Sequence, residues 1–252
     1  MVFDGRAFAG EIEKRLGDEV IKLGKKLKLV TIVDPANPAS VTYTNLKAAM
    51  AARLGVQFSI YNLQFTNNFQ IEELNKDPAV DGIMVQMPYP NAKFLIDLID
   101  LKKDIDGLRE GSPYKPAVVR AVLEILNTSP LTPLLNLGEG NKRGEVVVIG
   151  SRGFVGRRLV GELKCDGMDK EDFDSEKLKN ADVIISCTGQ VELIKQNMVK
   201  EGVVAIDVGY PKPEFAPDAL EKASFYTPVP GGVGPVTVAM LFANLLDAVL
   251  LE

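Results

Sequence analysis

Histidine and tryptophan are absent from all 252 residues, and cysteine occurs only at Cys165 and Cys187. Without histidine there is no Ser-His-Asp triad, no Cys-His pair, no histidine-ligated zinc and no imidazole proton shuttle. Any general acid or base must therefore be Lys, Asp, Glu, Tyr, Cys or water. The two cysteines have neither metal spacing nor a disulfide framework, which predicts a reducing compartment, two inert packing residues and no metal centre. A concentrated basic face is also missing: 29 Lys and Arg against 34 Asp and Glu leave a net charge of -5, which argues against a nucleic-acid partner. A small anionic ligand in a locally basic pocket is still compatible. No run reaches the ~20 apolar residues of a membrane span. Met1 to Gly10 carries Asp4 and Arg6 where a leader would have a basic head and an apolar run. A cytoplasmic protein without a membrane partner is the expectation.

What is present is ordinary globular material, 46% hydrophobic and 25% charged, at a length where one core tends to split into two. Alternating patterns predict an α/β protein of two domains. In the first half, helices are predicted over 7–23, 40–54 (ended by Gly55), from 71, and over 91–101; strands are predicted over 28–33, 56–61 and 80–86. In the second half, a helix over 115–126 joins the domains and a turn-rich linker spans 127–144. Apolar strands at 145–150, 183–186 and 203–208 suit a parallel sheet covered on both faces. The first of them runs into a helix over 154–163, and a last helix over 236–251 is expected to pack back on the first domain. The predicted boundaries are 1–114 with 234–252 for a catalytic domain, and 115–233 for a Rossmann-like dinucleotide-binding domain.

Several motifs fall where such a fold binds ligands. Gly150-Ser151-Arg152-Gly153-Phe154-Val155-Gly156 follows an apolar strand and opens a helix, a place where backbone N–H groups and the helix dipole can meet a pyrophosphate. Alone, its G-x-x-G-x-x-G spacing also describes a tight turn that binds nothing. Arg152 inside the turn favours a ribose phosphate, hence NADP ahead of NAD, whereas Asp166 or Asp169 could hold a ribose hydroxyl as in NAD binders. Cys187-Thr188-Gly189 and Gly209-Tyr210 follow two further apolar strands and so lie at the same sheet edge; each alone reads as ordinary turn glycine. Tyr43 and Lys47 are four apart on one helix face; a solvated lysine and a buried, more readily deprotonated one are both compatible with that spacing. Gln86 ends an apolar strand before Met87-Pro88, where packing gives a carboxamide no purpose. Asp104 and Asp106 make an Asx turn or present a carboxylate to a donor-rich heterocycle. Thr227 to Thr237, TPVPGGVGPVT, holds too many prolines and glycines for a mere connector and reads as a ligand-contacting loop.

Together PASVTYTNLK (38–47), VDGIMVQMPYP (80–90), DIDG (104–107), VVVIGSRGFVG (146–156) and TPVPGGVGPVT resemble the methylenetetrahydrofolate dehydrogenase/cyclohydrolase family. The resemblance implies that Lys47, Tyr43 and Gln86 form the catalytic cluster. It implies that Tyr43, Asp106, Pro228, Gly231 and Gly232 contact the folate, with Asp106 on the pterin ring. Gly150, Ser151, Arg152, Gly153, Val155, Gly156, Cys187, Thr188, Gly189, Tyr210, Gly234 and Thr237 would hold NADP. It also implies a homodimer, and a cleft shared by Lys47 and the glycine turn. Two departures stand out: Pro113-Tyr114-Lys115-Pro116 replaces the family's Pro-Cys-Thr-Pro, and the stretch 164–176 is short. The rival expectations are a monofunctional dehydrogenase and a noncatalytic dinucleotide-sensing module, which separate assays of the two half-reactions distinguish.

Overall fold

A computed structural model describes residues 1–62, 68–128 and 144–250. The chain divides into two compact units. One, the three-stranded unit, comprises Ala9–Ala117 and Thr237–Glu252; the other, the five-stranded unit, comprises Met1–Phe8 and Val118–Val236.

The three-stranded unit runs α1 (Gly5–Leu23), β1 (Lys28–Val33), α2 (Pro38–Leu54), β2 (Gln57–Asn62), α3 (Asn68–Lys76), β3 (Gly82–Val85) and α4 (Ala92–Leu98). Its sheet is parallel in the order β2-β1-β3. Central β1 is buried along nearly all its length, as a strand covered on both faces must be, whereas every residue of edge strand β2 is partly or fully exposed. Val30, Ile32, Ile71, Ile83, Val85 and Ile99 form its core.

The five-stranded unit follows α5 (Ala117–Leu126) with β4 (Val146–Ile149), α6 (Phe154–Leu163), β5 (Asp166–Met168), α7 (Ser175–Asn180), β6 (Val183–Ser186), β7 (Val204–Asp207), α8 (Pro217–Glu221) and β8 (Phe225–Tyr226). All its strands are parallel, in the order β5-β4-β6-β7-β8. Both sheets therefore reverse their strand order beside the first strand of the unit. Ligands of open α/β sheets bind outside the carboxyl ends of the strands at such a switch point.

The last helix, α9 (Val233–Leu250), returns to the three-stranded unit, as the sequence predicts. There Gly82 admits it closely, since a Cβ on that glycine would lie 2.8 Å from Leu245 Cδ1. α9 starts three residues earlier than predicted. Gly234 and Pro235 fit a first turn, where a missing proline N–H costs nothing. This makes α9 long and apolar enough to cross a membrane by composition, but 67% of it is buried inside the protein, as in a core helix.

Other differences from the predicted elements have local causes. α4 stops at Leu98, because Ile99 turns to an extended conformation and packs in the core. Met1–Phe8 joins the five-stranded unit instead of the first-half domain: Val2 bridges to Tyr226, and the Phe3 ring packs on Phe225 at 5.6 Å. β5, β8 and α7 are not evident from the sequence. Most of the predicted 127–144 linker lies outside the described residues.

Candidate active site

Helix α2 is set by strong local signals. The Asn37 side chain accepts the Ser40 N–H at 3.1 Å, Pro38 takes the first turn, and Gly55 closes the helix at φ +71°. An N-cap of this kind is worth about 1 kcal/mol. The buried face carries Ser40, Thr44, Lys47, Met50, Ala51 and Leu54. Packing requires most of these residues, but not Lys47.

Lys47 is only 6% exposed. Its Nζ donates to Gln86 Oε1 at 2.5 Å and stands 5.4 Å from the centroid of the Tyr43 ring. Gln86 directly follows β3; its backbone N–H donates to Ile32 O at 2.8 Å, and its Nε2 donates to Met87 O at 2.8 Å. These two bonds fix the carboxamide so that its oxygen is offered to the amine. The Ser40 hydroxyl donates to Pro88 O at 3.1 Å, tying the start of α2 to the same loop. The cluster thus sits at the switch point of the three-stranded sheet.

Burial lowers the Lys47 amine from 10.5 to about 8, opposed by the charge of Asp106. Burial likewise raises Asp106 to about 7, with Lys47 pulling it down and Asp104 pushing it up. Burial thus moves both groups from their ordinary values towards neutrality, the direction that favours proton transfer at neutral pH. Asp104, itself 1% exposed, accepts the N–H groups of Leu108 and Arg109 at 3.3 and 2.8 Å and so builds the turn that presents Asp106. Asn244 of α9 pins that segment at both ends, donating to Ile105 O at 2.8 Å and Lys115 O at 2.9 Å. The Tyr114 hydroxyl donates to Lys102 O at 2.9 Å. The departure at 113–116 therefore closes this loop upon itself. Asn244 was visible in the sequence only as a lone amide in an apolar helix.

In the five-stranded unit, Gly150 follows β4 at φ +84°, and Gly153 caps α6 without any side-chain hydrogen bond. The N–H groups of the first helical turn have no intrahelical acceptors, which leaves them for an anion. A Cβ at Gly150 would lie 2.6 Å from Cys187 O, and one at Gly156 would lie 2.1 Å from Gly150 O. Only glycines allow strand, helix and the 187–189 loop to meet this closely. The seat thus has the backbone cradle and the exposed helix terminus that a dinucleotide pyrophosphate needs.

Around it, Asp169 accepts the Arg152 N–H at 2.7 Å and the Ser151 hydroxyl at 3.4 Å. The Arg152 guanidinium pairs with Glu171 at 2.6 Å and Asp172 at 3.1 Å. Asp166 pairs with Lys177 at 2.7 Å, so of the two aspartates considered from sequence it is Asp169 that borders the turn. Cys187 Sγ donates to Ile149 O at 3.1 Å, and burial, then the charges of Glu214 and Asp169, push this thiol up to about 12. It is a packing residue, not a nucleophile. The N–H groups of Thr188 and Gly189 both donate to Glu214, a residue the sequence does not single out.

Tyr43, Lys47, Gln86 and Asp106 thus share one unit, whereas Pro228, Gly231 and Gly232 belong to the other. In that loop Gly231 adopts φ +108° and Gly232 donates to Pro228 O at 2.7 Å. Gly5 lies against it, for a Cβ there would meet Gly232 O at 2.0 Å. Tyr210 is 41% exposed beyond β7. Gly234 and Thr237 lie in the first turns of α9. Among the described residues no group of His, Cys, Asp and Glu is arranged to hold a metal ion.

Comparison with known proteins covers nearly the whole chain. Residues 3–106 match the catalytic domain of tetrahydrofolate dehydrogenase/cyclohydrolase, and residues 129–252 match the NAD(P)-binding domain of the same family. A bifunctional protein FolD from Fusobacterium nucleatum is 34% identical over 288 residues, covering 98% of this chain and 97% of its own. The crystal structure of bifunctional FolD from Campylobacter jejuni has a TM-score of 0.87 at 29% identity, covering 98% of both chains. A Trypanosoma brucei FolD, solved with NADP and an inhibitor, has a TM-score of 0.85 at 28% identity, covering 98% of this chain and 96% of its own.

Proposed function

The chain belongs to the tetrahydrofolate dehydrogenase/cyclohydrolase family, and from that premise we propose that it oxidises 5,10-methylenetetrahydrofolate to 5,10-methenyltetrahydrofolate with NADP and hydrolyses the product to 10-formyltetrahydrofolate. The observation that carries this is the buried Lys47 amine, fixed on Gln86 at 2.5 Å, whose pKa is lowered by burial and held up by the charge of Asp106. When bound, the dinucleotide supplies an acceptor for the hydride that leaves the methylene carbon. The glycine turn, with Gly150, Ser151, Gly153, Val155 and Gly156, holds the pyrophosphate. Arg152 would provide the cation for a ribose phosphate, and the Cys187–Gly189 loop, Tyr210 and Gly234 at the start of α9 would complete the seat.

Hydrolysis needs a base beside a cationic carbon. Water adds its oxygen to the methenyl carbon while the neutral Lys47 amine takes the proton, held in place by Gln86 Oε1 and flanked by the Tyr43 ring. Breaking one carbon–nitrogen bond of the adduct, with the hydroxyl proton lost as its oxygen becomes the carbonyl and the proton held by Lys47 delivered to the departing nitrogen, leaves the formyl product. The ionised Asp106 accepts two hydrogen bonds from the aminopyrimidine edge of the pterin; Pro228, Gly231 and Gly232, which the resemblance assigns to the folate, belong to the other unit. The proposal includes a homodimer in the cytoplasm, tested by sizing across a concentration series and by fractionation.

The deciding experiment is Lys47→Ala, assayed for each half-reaction. Hydrolysis of methenyltetrahydrofolate should fall by at least about 100-fold, the usual contribution of a positioned base, with the thermal midpoint little changed. Parental hydrolysis in this variant would overturn the role of Lys47.

A further inference from the structure

Glu214 takes no part in the reaction proposed above, yet its carboxylate is only 1% exposed. A buried carboxylate persists only when its oxygens are filled by donors. Here Oε2 accepts from the Ser186 hydroxyl at 2.5 Å, the Thr188 N–H at 2.8 Å and the Thr188 hydroxyl at 2.7 Å, and Oε1 accepts the Gly189 N–H at 2.7 Å. All four donors belong to the end of β6 and the loop after it. Glu214 is itself held from β7: Asp207 accepts the N–H groups of Glu214, Phe215 and Gly209 at 2.7, 3.2 and 2.8 Å. Gly209 leaves just enough space, since a Cβ there would lie 2.8 Å from both Asp207 Oδ1 and Glu214 Cγ. Two neighbouring strand ends are thus joined through two carboxylates.

A trans peptide carbonyl points opposite to its own N–H. With the Thr188 and Gly189 amides turned towards Glu214, the carbonyls of Cys187 and Thr188 must face away from it. Cys187 O is the atom that Gly150 approaches so closely. We propose that Glu214 is a positioning residue for the dinucleotide seat: by taking up the amides of the 187–189 loop it aims the Cys187 carbonyl at the glycine turn and presents carbonyl acceptors, not N–H donors, beside the cofactor. This rests on the proposed dinucleotide-dependent function.

Glu214→Gln keeps size and shape but replaces one accepting oxygen with an NH2 group. The amide oxygen can still serve the Ser186 and Thr188 donors, and the NH2 must then face the Gly189 N–H. Direct titration with NADP and with NAD, by calorimetry on the intact protein, should show at least tenfold weaker binding of both. Hydrolysis of methenyltetrahydrofolate, which consumes no dinucleotide, should keep its kcat. Ser186→Ala, which removes one donor and leaves the amide ties intact, should weaken binding about threefold and provides the readout if Glu214→Gln fails to fold. Binding within twofold of the parent in a folded Glu214→Gln, or in Ser186→Ala if that glutamine variant does not fold, overturns the role of Glu214. Equal loss of hydrolysis and binding together with a lowered thermal midpoint would make Glu214 a general fold residue and overturn it as well. Parental protein that binds neither dinucleotide would overturn the functional proposal itself.

Discussion

The two units put their sites at the same topological place, beside the first strand of a parallel sheet whose order reverses there, but build them from different materials. In the three-stranded unit the proposed site is made of side chains: Lys47 and Gln86, held to each other by a hydrogen bond, and Asp106, carried on the turn that Asp104 closes. In the five-stranded unit it is made of backbone, with Gly150 and Gly156 drawn against neighbouring carbonyls until no Cβ fits. Side chains can tune protonation, as the shifts of Lys47 and Asp106 show. Backbone amides cannot titrate, but they hold an anion at any pH. On the proposed function, one unit moves protons and the other holds charge.

The contrast breaks most visibly at Gly156. Gly156→Ala puts a Cβ 2.1 Å from a backbone oxygen that no rotamer can move. Overpacking of up to about 3 kcal/mol should weaken dinucleotide binding roughly 100-fold, measured by titration beside hydrolysis of methenyltetrahydrofolate on the same preparation. Asp106→Asn tests the other side. It replaces a charged acceptor and should raise the KM for folate roughly 10- to 100-fold, the worth of a charge-assisted hydrogen bond, while dinucleotide binding stays at the parental value.

Next in size comes pH. The proposed base is the neutral amine, and burial brings Lys47 to about 8. Below that pH the amine is protonated, so hydrolysis should fall about tenfold for each pH unit, whereas dinucleotide binding between pH 7 and 8 should stay flat. Because the charge of Asp106 holds Lys47 up, Asp106→Asn at saturating folate should move the limb to lower pH. The smallest effect belongs to Arg152. Glu171 and Asp172 compete for its guanidinium on an exposed surface. Glu171→Gln with Asp172→Asn should therefore tighten NADP binding over NAD by only about two- to fivefold. An unchanged ratio would remove Arg152 from cofactor choice.

Much of this was legible in the sequence, for identifiable reasons. β1, α6 and β6 are bounded as predicted, because runs such as VIIS leave a parallel strand no other place and the glycines at 153 and 156 fix a helix start. β5 escaped because it is three residues long and two of them are exposed, so it carries no apolar run. Tyr43 and Lys47 were legible as a shared face, but their burial was not, since the same spacing serves a solvated lysine. Glu214 was illegible: its donors lie 25 to 28 residues away, and nothing in Pro213 or Phe215 signals a buried acid. Resemblance supplied the roles; burial and hydrogen bonds supply physical reasons for them.

The chain path through α9 bears on how such a molecule can be recombined. The three-stranded unit is interrupted in sequence, and its closing piece, with the Asn244 clamp on Ile105 and Lys115, is encoded after the whole of the other unit. A single crossover in the gene therefore cannot exchange the proton-handling unit for a homologue's: the recombinant would carry one parent's Asp106 loop and the other parent's clasp. Exchange of a whole unit takes three junctions, near 8, 117 and 237, and chimeras made that way should keep hydrolysis where single-junction ones lose it.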